Sequence, residues 1–274
     1  HSVYGYFYAY LSTGDGHFTS PIETATIDGN SDSGYVHYAD IDGDGFSDLI
    51  KHSAYGNFYV YLSTGDGRFA EPVETSTIKG SSDTSFVHYA DINGDGRTDL
   101  IKRTAYGYFY VYLSTGDGLF AEPVETSTIK GSSNPGYVNF ADINGDGLTD
   151  LIKHSAYGYF YVYFSSGDGN FSEPAEARLS EGSKNSGYVH FVEVNGDGFA
   201  DIILRTSAGR VYTYLSRGDG TFADPFELAD LQGSSNPGYV HFADIRGKRV
   251  CDLVTHSSSG RFYSHLCNGG PTDL

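Results

Sequence analysis

Methionine and tryptophan are absent from this 274-residue sequence, and cysteine occurs only twice. A chain that starts at His1 with no methionine anywhere is expected to be a processed, trimmed or partial form, with any leader out of view. Basic residues are scarce: 17 Lys and Arg stand against 35 Asp and Glu, a net charge of −18. That balance excludes attraction to nucleic acid or to an anionic membrane as the working interaction. No apolar run approaches the roughly 20 residues that span a bilayer as a helix, so a soluble protein without membrane insertion is expected. Helical periodicity is missing over any useful window. No Ser-His-Asp set, cysteine nucleophile or histidine-rich metal cluster stands out, so the sequence points away from an enzyme.

What the sequence does hold is a loop, repeated. Asp91-Ile92-Asn93-Gly94-Asp95-Gly96-Arg97-Thr98-Asp99 places side-chain oxygens at positions 1, 3, 5 and 9 around two glycines. A hard divalent cation takes six to eight oxygens at roughly 2.3–2.6 Å, so alternate residues of a curled loop converge on it while a backbone carbonyl, at position 7, fills a gap. Four copies keep this donor set. They are Asp40, Asp42, Asp44, Phe46 and Asp48; Asp91, Asn93, Asp95, Arg97 and Asp99; Asp142, Asn144, Asp146, Leu148 and Asp150; and Glu193, Asn195, Asp197, Phe199 and Asp201. About four structural Ca2+ ions are expected. In a fifth copy Arg246 and Lys248 replace two ligands between Asp244 and Asp252, so ion pairs are expected to stand in for the metal.

The first acids, at 40, 91, 142, 193 and 244, are each 51 residues apart. A period of that size marks a solenoid, propeller or array. One unit carries four strand-like runs, Phe86–Ile92, Asp99–Thr104, Tyr108–Leu113 and Pro123–Ile129, rich in Tyr, Phe, Val, Thr and Ile. Turns at Ala105-Tyr106-Gly107 and Ser114–Gly118 separate them. A repeated four-stranded antiparallel meander is a β-propeller blade. The expected fold is therefore all-β: one propeller domain over residues 1–274, with 24 Tyr and 18 Phe supplying much of its core. Calling the strands a to d, the chain opens with c and d, runs through four full units and ends with a, b and c, which makes 21 strands. Five blades are expected, with an incomplete six or a piece of a longer ring as alternatives.

Cys251 and Cys267 are centred on residue 259, a probable hairpin turn, and so are expected to face each other across two strands. A disulfide there implies an oxidising compartment, the alternative being two free buried thiols. Its place beside the degenerate fifth loop suggests a covalent clip where a metal is missing. Arg217-Gly218-Asp219 falls where other copies have TGD and is expected to be repeat variation, and Asn170-Phe171-Ser172 is a glycosylation sequon in a tight turn.

The pairing of DINGDGxTDLI with FYVYLSTGDGxF resembles the FG-GAP or VCBS repeats of integrin α-chain propellers, and above all fungal propeller lectins of the Psathyrella velutina type. The resemblance implies a secreted, non-catalytic, multivalent protein that binds terminal N-acetylglucosamine, and sometimes sialic acid, between blades. Its partners are then glycans or glycoproteins. An integrin-like adhesion or scaffold propeller is the second reading, and a polysaccharide-active enzyme module the third. Meander topology puts the metal loops at one end of each blade and the b–c turns at the other. Sugars need an aromatic plane and fixed hydrogen-bond groups, which at the second end come from His52, Tyr55, Tyr106, Asn134, Tyr137, His154, Tyr157, Asn236 and Tyr239. The same tyrosines and asparagines also suit plain turn and packing roles. His37, His88, His190 and His241, early in strand a, are expected to be structural.

Overall fold

Alternating aromatic and β-branched runs cut by Gly-Asp turns can bury a face only as sheets, and sheets are what form. The computed structural model describes residues 7–15, 17–23, 35–52, 57–75, 78, 86–104, 106–126, 129, 137–155, 157–180, 188–206, 210–228, 240–246, 250–256, 259 and 261–266. The architecture is an all-β, five-blade propeller of four-stranded antiparallel blades with a repeat of about 51 residues. The chain divides into two compact units, residues 1–129 with 167–170, and residues 130–166 with 171–274.

The first unit holds β1 (Tyr8–Ala9) paired with β2 (Ile22–Glu23), then two full meanders. These are β3 (Val36–Ala39), β4 (Asp48–His52), β5 (Phe58–Tyr61) and β6 (Val73–Thr75), and β7 (Val87–Ala90), β8 (Asp99–Arg103), β9 (Phe109–Tyr112) and β10 (Val124–Glu125). The second unit holds β11 (Val138–Ala141), β12 (Asp150–His154), β13 (Tyr159–Tyr163) and β14 (Ala175–Arg178) as one meander. It continues with β15 (Val189–Val192), β16 (Asp201–Arg205), β17 (Val211–Tyr214) and β18 (Phe226–Leu228). Last come three strands, β19 (Val240–Ala243), β20 (Asp252–His256) and β21 (Phe262–His265). The succession of two, four times four, and three strands is the expected 21 among the described residues.

Strand b lies between strands a and c and is buried along its whole length in β4, β8, β12 and β16. Its apolar members Leu49, Ile50, Leu100, Ile101, Leu151 and Ile152 are fully buried. In the first unit Ile41, Ile50, Phe58, Val60, Val87, Leu100 and Tyr112 share one cluster, which joins the two meanders. In the second, Ile143, Ile152, Phe160, Val162, Ile202, Leu204 and Tyr214 do the same. At roughly 1.5–3 kcal/mol per large side chain removed from water, these clusters dominate the stabilisation. Strand d is shorter than the sequence implies: β10 covers only Val124–Glu125 of the expected Pro123–Ile129. Beyond it the threonine side chain joins in, as Thr126 Oγ1 accepts the Phe109 N–H at 3.2 Å.

The ends of strand b carry cations into this core. Lys51, Lys102 and Lys153 are about 1% exposed. Lys102 Nζ sits 5.2 Å from the Phe58 ring of the preceding meander, and desolvation pulls its pKa down to about 8. One residue on, His52, Arg103 and His154 fill equivalent slots between two aromatic rings. His52 lies between Tyr35 (4.7 Å) and Phe58 (4.9 Å), and His154 between Tyr137 (4.8 Å) and Phe160 (5.2 Å). Arg103 lies between Phe86 (5.4 Å) and Phe109 (5.8 Å). A ring face attracts a guanidinium and stacks with an imidazole, which explains why His and Arg exchange at this repeat position.

Candidate functional site

Each a–b loop is wound around its first acid. Asp91 Oδ1 and Oδ2 accept the Gly94 and Gly96 N–H groups at 2.7 and 2.9 Å, and Asp40 and Asp142 repeat the arrangement. Gly94 and Gly96 hold φ of 72° and 83°, a region open to glycine at little cost. Position 3 accepts from position 5 and position 5 from position 7, as in Asp95 N–H to Asn93 Oδ1 (3.1 Å) and Arg97 N–H to Asp95 Oδ1 (2.9 Å).

The ninth residue does something the spacing did not disclose. Asp99 is fully buried, and both its oxygens accept backbone amides: Ile92 N–H at 2.9 Å and Ser114 N–H at 2.8 Å. It therefore ties the loop to the c–d turn. Asp48, Asp150 and Asp201 make the same pair of bonds, to Ile41 and Ser63, Ile143 and Ser165, and Val194 and Ser216. Desolvation raises the pKa of Asp99 and Asp150 to about 6 and of Asp201 to about 7. The amide bonds oppose the shift, and the loop's other acids add to it. Buried carboxylates crowded by like charge are the chemistry that a cation relieves. In the first loop Asp40, Asp42 and Asp48 each bring an oxygen within 4.8 Å of the others, a spread that one cation with ligands at about 2.3–2.6 Å can span. Each carboxylate oxygen keeps a second lone-pair direction beside its amide bond.

Neighbouring loops are also stitched together within each unit. Position 8 donates its N–H to the first-position carbonyl of the preceding loop: Thr98 to Asp40 at 2.7 Å, Ala200 to Asp142 at 2.8 Å and Cys251 to Glu193 at 2.8 Å. The first serine of the c–d turn adds a hydroxyl bond, Ser114 Oγ to Ile41 O (2.6 Å) and Ser216 Oγ to Ile143 O (2.9 Å). The sequence signal for the second stitch is a serine recurring at 63, 114, 165 and 216, which turn chemistry alone also accounts for. Position 7 packs across the same seam: a Cβ on Gly145 would fall 2.6 Å from the Phe199 ring.

In the fourth loop the longer Glu193 still grips Asn195, Gly196 and Gly198 N–H through its carboxylate. In the fifth, Arg246 binds Asp252 through both oxygens, at 3.1 and 2.7 Å, which is the expected ion pair. Lys248 lies outside the described residues. The expected disulfide is not found: Cys251 is a free, half-buried thiol, and Cys267 lies outside the described residues. Burial, then Asp244, Asp252 and Glu193, push the Cys251 thiol pKa up, away from the reactive thiolate. Arg217 is spent within its own turn, donating from Nη1 to Phe222 O at 2.7 Å.

At the other end, Tyr106 and Tyr157 are 87% and 78% exposed on b–c turns closed by Gly107 and Gly158 at positive φ. These two rings are open to solvent on one face of each turn. His52 and His154 are not: the ring sandwiches leave them 0% and 1% exposed, out of a ligand's reach, and Tyr137 is committed to packing on His154. Tyr55, Asn134, Asn236 and Tyr239 lie outside the described residues. The second unit adds a groove of about 350 Å³ that the sequence did not reveal, lined by Tyr157, Arg178, Ser180, Tyr214, Phe222 and Asp224 among others. Its members come from four separate stretches of the chain, so no local motif announces it.

A family model described as an FG-GAP-like repeat matches residues 2–51, 52–102, 103–153, 154–204 and 193–255. Among solved structures, the fold is similar to an Agrocybe aegerita lectin described with specific recognition of non-reducing terminal N-acetylglucosamine. The TM-score is 0.73 and the identity 19%, over 96% of this chain and 75% of that one. It is also similar to part of a Photorhabdus luminescens Tc holotoxin pore, with a TM-score of 0.66 and 20% identity, over 94% of this chain and 12% of that one. A search of curated proteins returns no significant match.

Burial holds the slot histidines neutral. Desolvation brings His52 and His154 down to about 4, and His37 and then Lys102 add to the effect at His52. Because the folded pKa lies below the unfolded value near 6.5, the contribution of each to stability is complete above pH 6.5 and is lost as pH falls towards 4. Imidazole NMR signals of His52 and His154 are expected to titrate with midpoints near pH 4. Midpoints near 6.5 would contradict the sandwich.

Proposed function

Starting from a chain that belongs to the FG-GAP-like repeat family, we propose that it is a multivalent, non-enzymatic lectin for terminal N-acetylglucosamine or related N-acetylated sugars, with structural Ca2+ in its first four a–b loops. The observation that carries the sugar reading is the repeated, outward tyrosine of the b–c turn, Tyr106 and Tyr157, the latter on the edge of a groove with hydroxyl and charged groups. An exposed aromatic face is costly to leave in water and suits the apolar face of a pyranose. The likeness to the Agrocybe aegerita lectin supports the same reading. Several weak sites on one chain raise avidity on a glycan-covered surface by roughly 10²–10⁴. The partners are glycans and glycoproteins outside the cell, in keeping with a net charge of −18 that disfavours nucleic acid.

For the metal, Asp40, Asp42, Asp44 and Asp48, with the Phe46 carbonyl, would hold the ion of the first loop, and the equivalent residues those of the next three. Bound Ca2+ would neutralise carboxylates that are otherwise crowded and desolvated, and the fifth loop would rely on Arg246 instead.

Glycan-array binding of the calcium-loaded chain is expected to centre on terminal N-acetylglucosamine. Tyr157→Ala and Tyr106→Ala are each expected to weaken binding by about tenfold at their own site, and an array without saccharide binding would overturn the lectin reading. Metal analysis is expected to give four Ca2+ per chain, with a count of five or none contradicting the assignment. Affinity for Ca2+ should fall as pH drops from 8 to 5, because protons compete for Asp201 near pH 7 and for Asp99 and Asp150 near pH 6.

A further inference from the structure

One groove differs from what the rest of the repeat can offer. Arg178 ends β14, and the residues 51, 102 and 153 positions earlier are Ser127, Ser76 and Ala25. Only here does this strand position carry a cation. The Arg178 guanidinium lies 5.1 Å from the ring of Tyr159, its partner across the strand pair, and makes no ion pair among the described residues. It is thus held on an aromatic face with its donors available. Around the same groove stand the exposed ring of Tyr157, the Ser180 Oγ and Tyr214 OH pair at 3.3 Å, and the exposed residue Asp224.

We propose that this groove binds an acidic saccharide, with its carboxylate or sulfate group taken by Arg178. The inference rests on the lectin reading and deepens it for this one junction. A planar guanidinium fork matches a carboxylate or sulfate edge in two parallel hydrogen bonds, which the serine or alanine of the other copies cannot do. Tyr157 offers its face to the pyranose ring. Asp224, unable to donate when ionised, accepts from ring hydroxyls on the side away from the acidic group. The chain's net charge of −18 repels anions at long range, so selection of an acidic sugar depends on this local cation and weakens with added salt.

The test uses the full chain with calcium, following the backbone amide NMR signals of Ser180 and Ala223. Three probes are titrated: N-acetylglucosamine, glucuronic acid and N-acetylglucosamine 6-sulfate. One or both acidic probes are expected to shift these signals with at least tenfold tighter binding than the neutral sugar. The tighter of the two identifies the group as carboxylate or sulfate. Arg178→Ser is expected to cost the acidic probe about tenfold and leave the neutral sugar unchanged, and Arg178→Lys to recover part of the loss. Equal binding of acidic and neutral probes, a preference that survives Arg178→Ser, or no shift at Ser180 and Ala223 would overturn the proposal. If N-acetylglucosamine still binds at other positions, the lectin reading survives that failure, whereas no saccharide binding anywhere removes both.

Discussion

A buried carboxylate that accepts two backbone amides is the interaction on which each of the four full meanders depends. Asp48, Asp99, Asp150 and Asp201 lie where strand b leaves its loop, and each joins the second residue of that loop to the first residue of the c–d turn. Without that bridge two amides per blade would be buried and unpaired, at roughly 1–3 kcal/mol each. The bridge also fixes the turn serine so that Ser114 and Ser216 reach the preceding loop's carbonyl. Loop, turn and seam between meanders are therefore one hydrogen-bonded system, with crowded negative charge at its centre.

Away from the loops the same blades bury positive groups. Lysines one residue before the end of strand b lie against aromatic rings, and the last residue of the strand is a histidine or arginine between two more. Ring quadrupoles offset part of the desolvation cost where no carboxylate stands nearby. The acidic and the cationic layers occupy opposite ends of strand b, which leaves the b–c turns free to display tyrosine. A ligand surface at that end does not compete with the metal loops.

Much of this was legible because the repeat is internal. The 51-residue spacing, the four-strand meander and the strand count follow from the positions of Asp40, Asp91, Asp142, Glu193 and Asp244, and the structure agrees. The Arg246–Asp252 pair was equally open to reading, since two cations had replaced ligands. What the spacing concealed is which way a side chain turns. His52 and His154 stand beside the b–c turn in sequence, yet the strand pleat sends them inward between rings, while Tyr157, three residues after His154, and Tyr106, three after Arg103, point out. The dual bonds of Asp99 were hidden because a metal ligand and an amide acceptor require the same residue. The groove around Arg178 is assembled from distant segments, and its one sequence clue was a departure from the repeat rather than a motif.

Native-state hydrogen exchange of four amides tests the account most directly. Ile92 and Ser114 donate to Asp99, and Ile143 and Ser165 donate to Asp150. If these carboxylates hold loop and turn together, the four amides exchange only with the free energy of unfolding their blades, alongside core-strand amides such as Ile101 and Ile152. Exchange orders of magnitude faster, at the rate of an exposed turn amide such as Leu119, would contradict it.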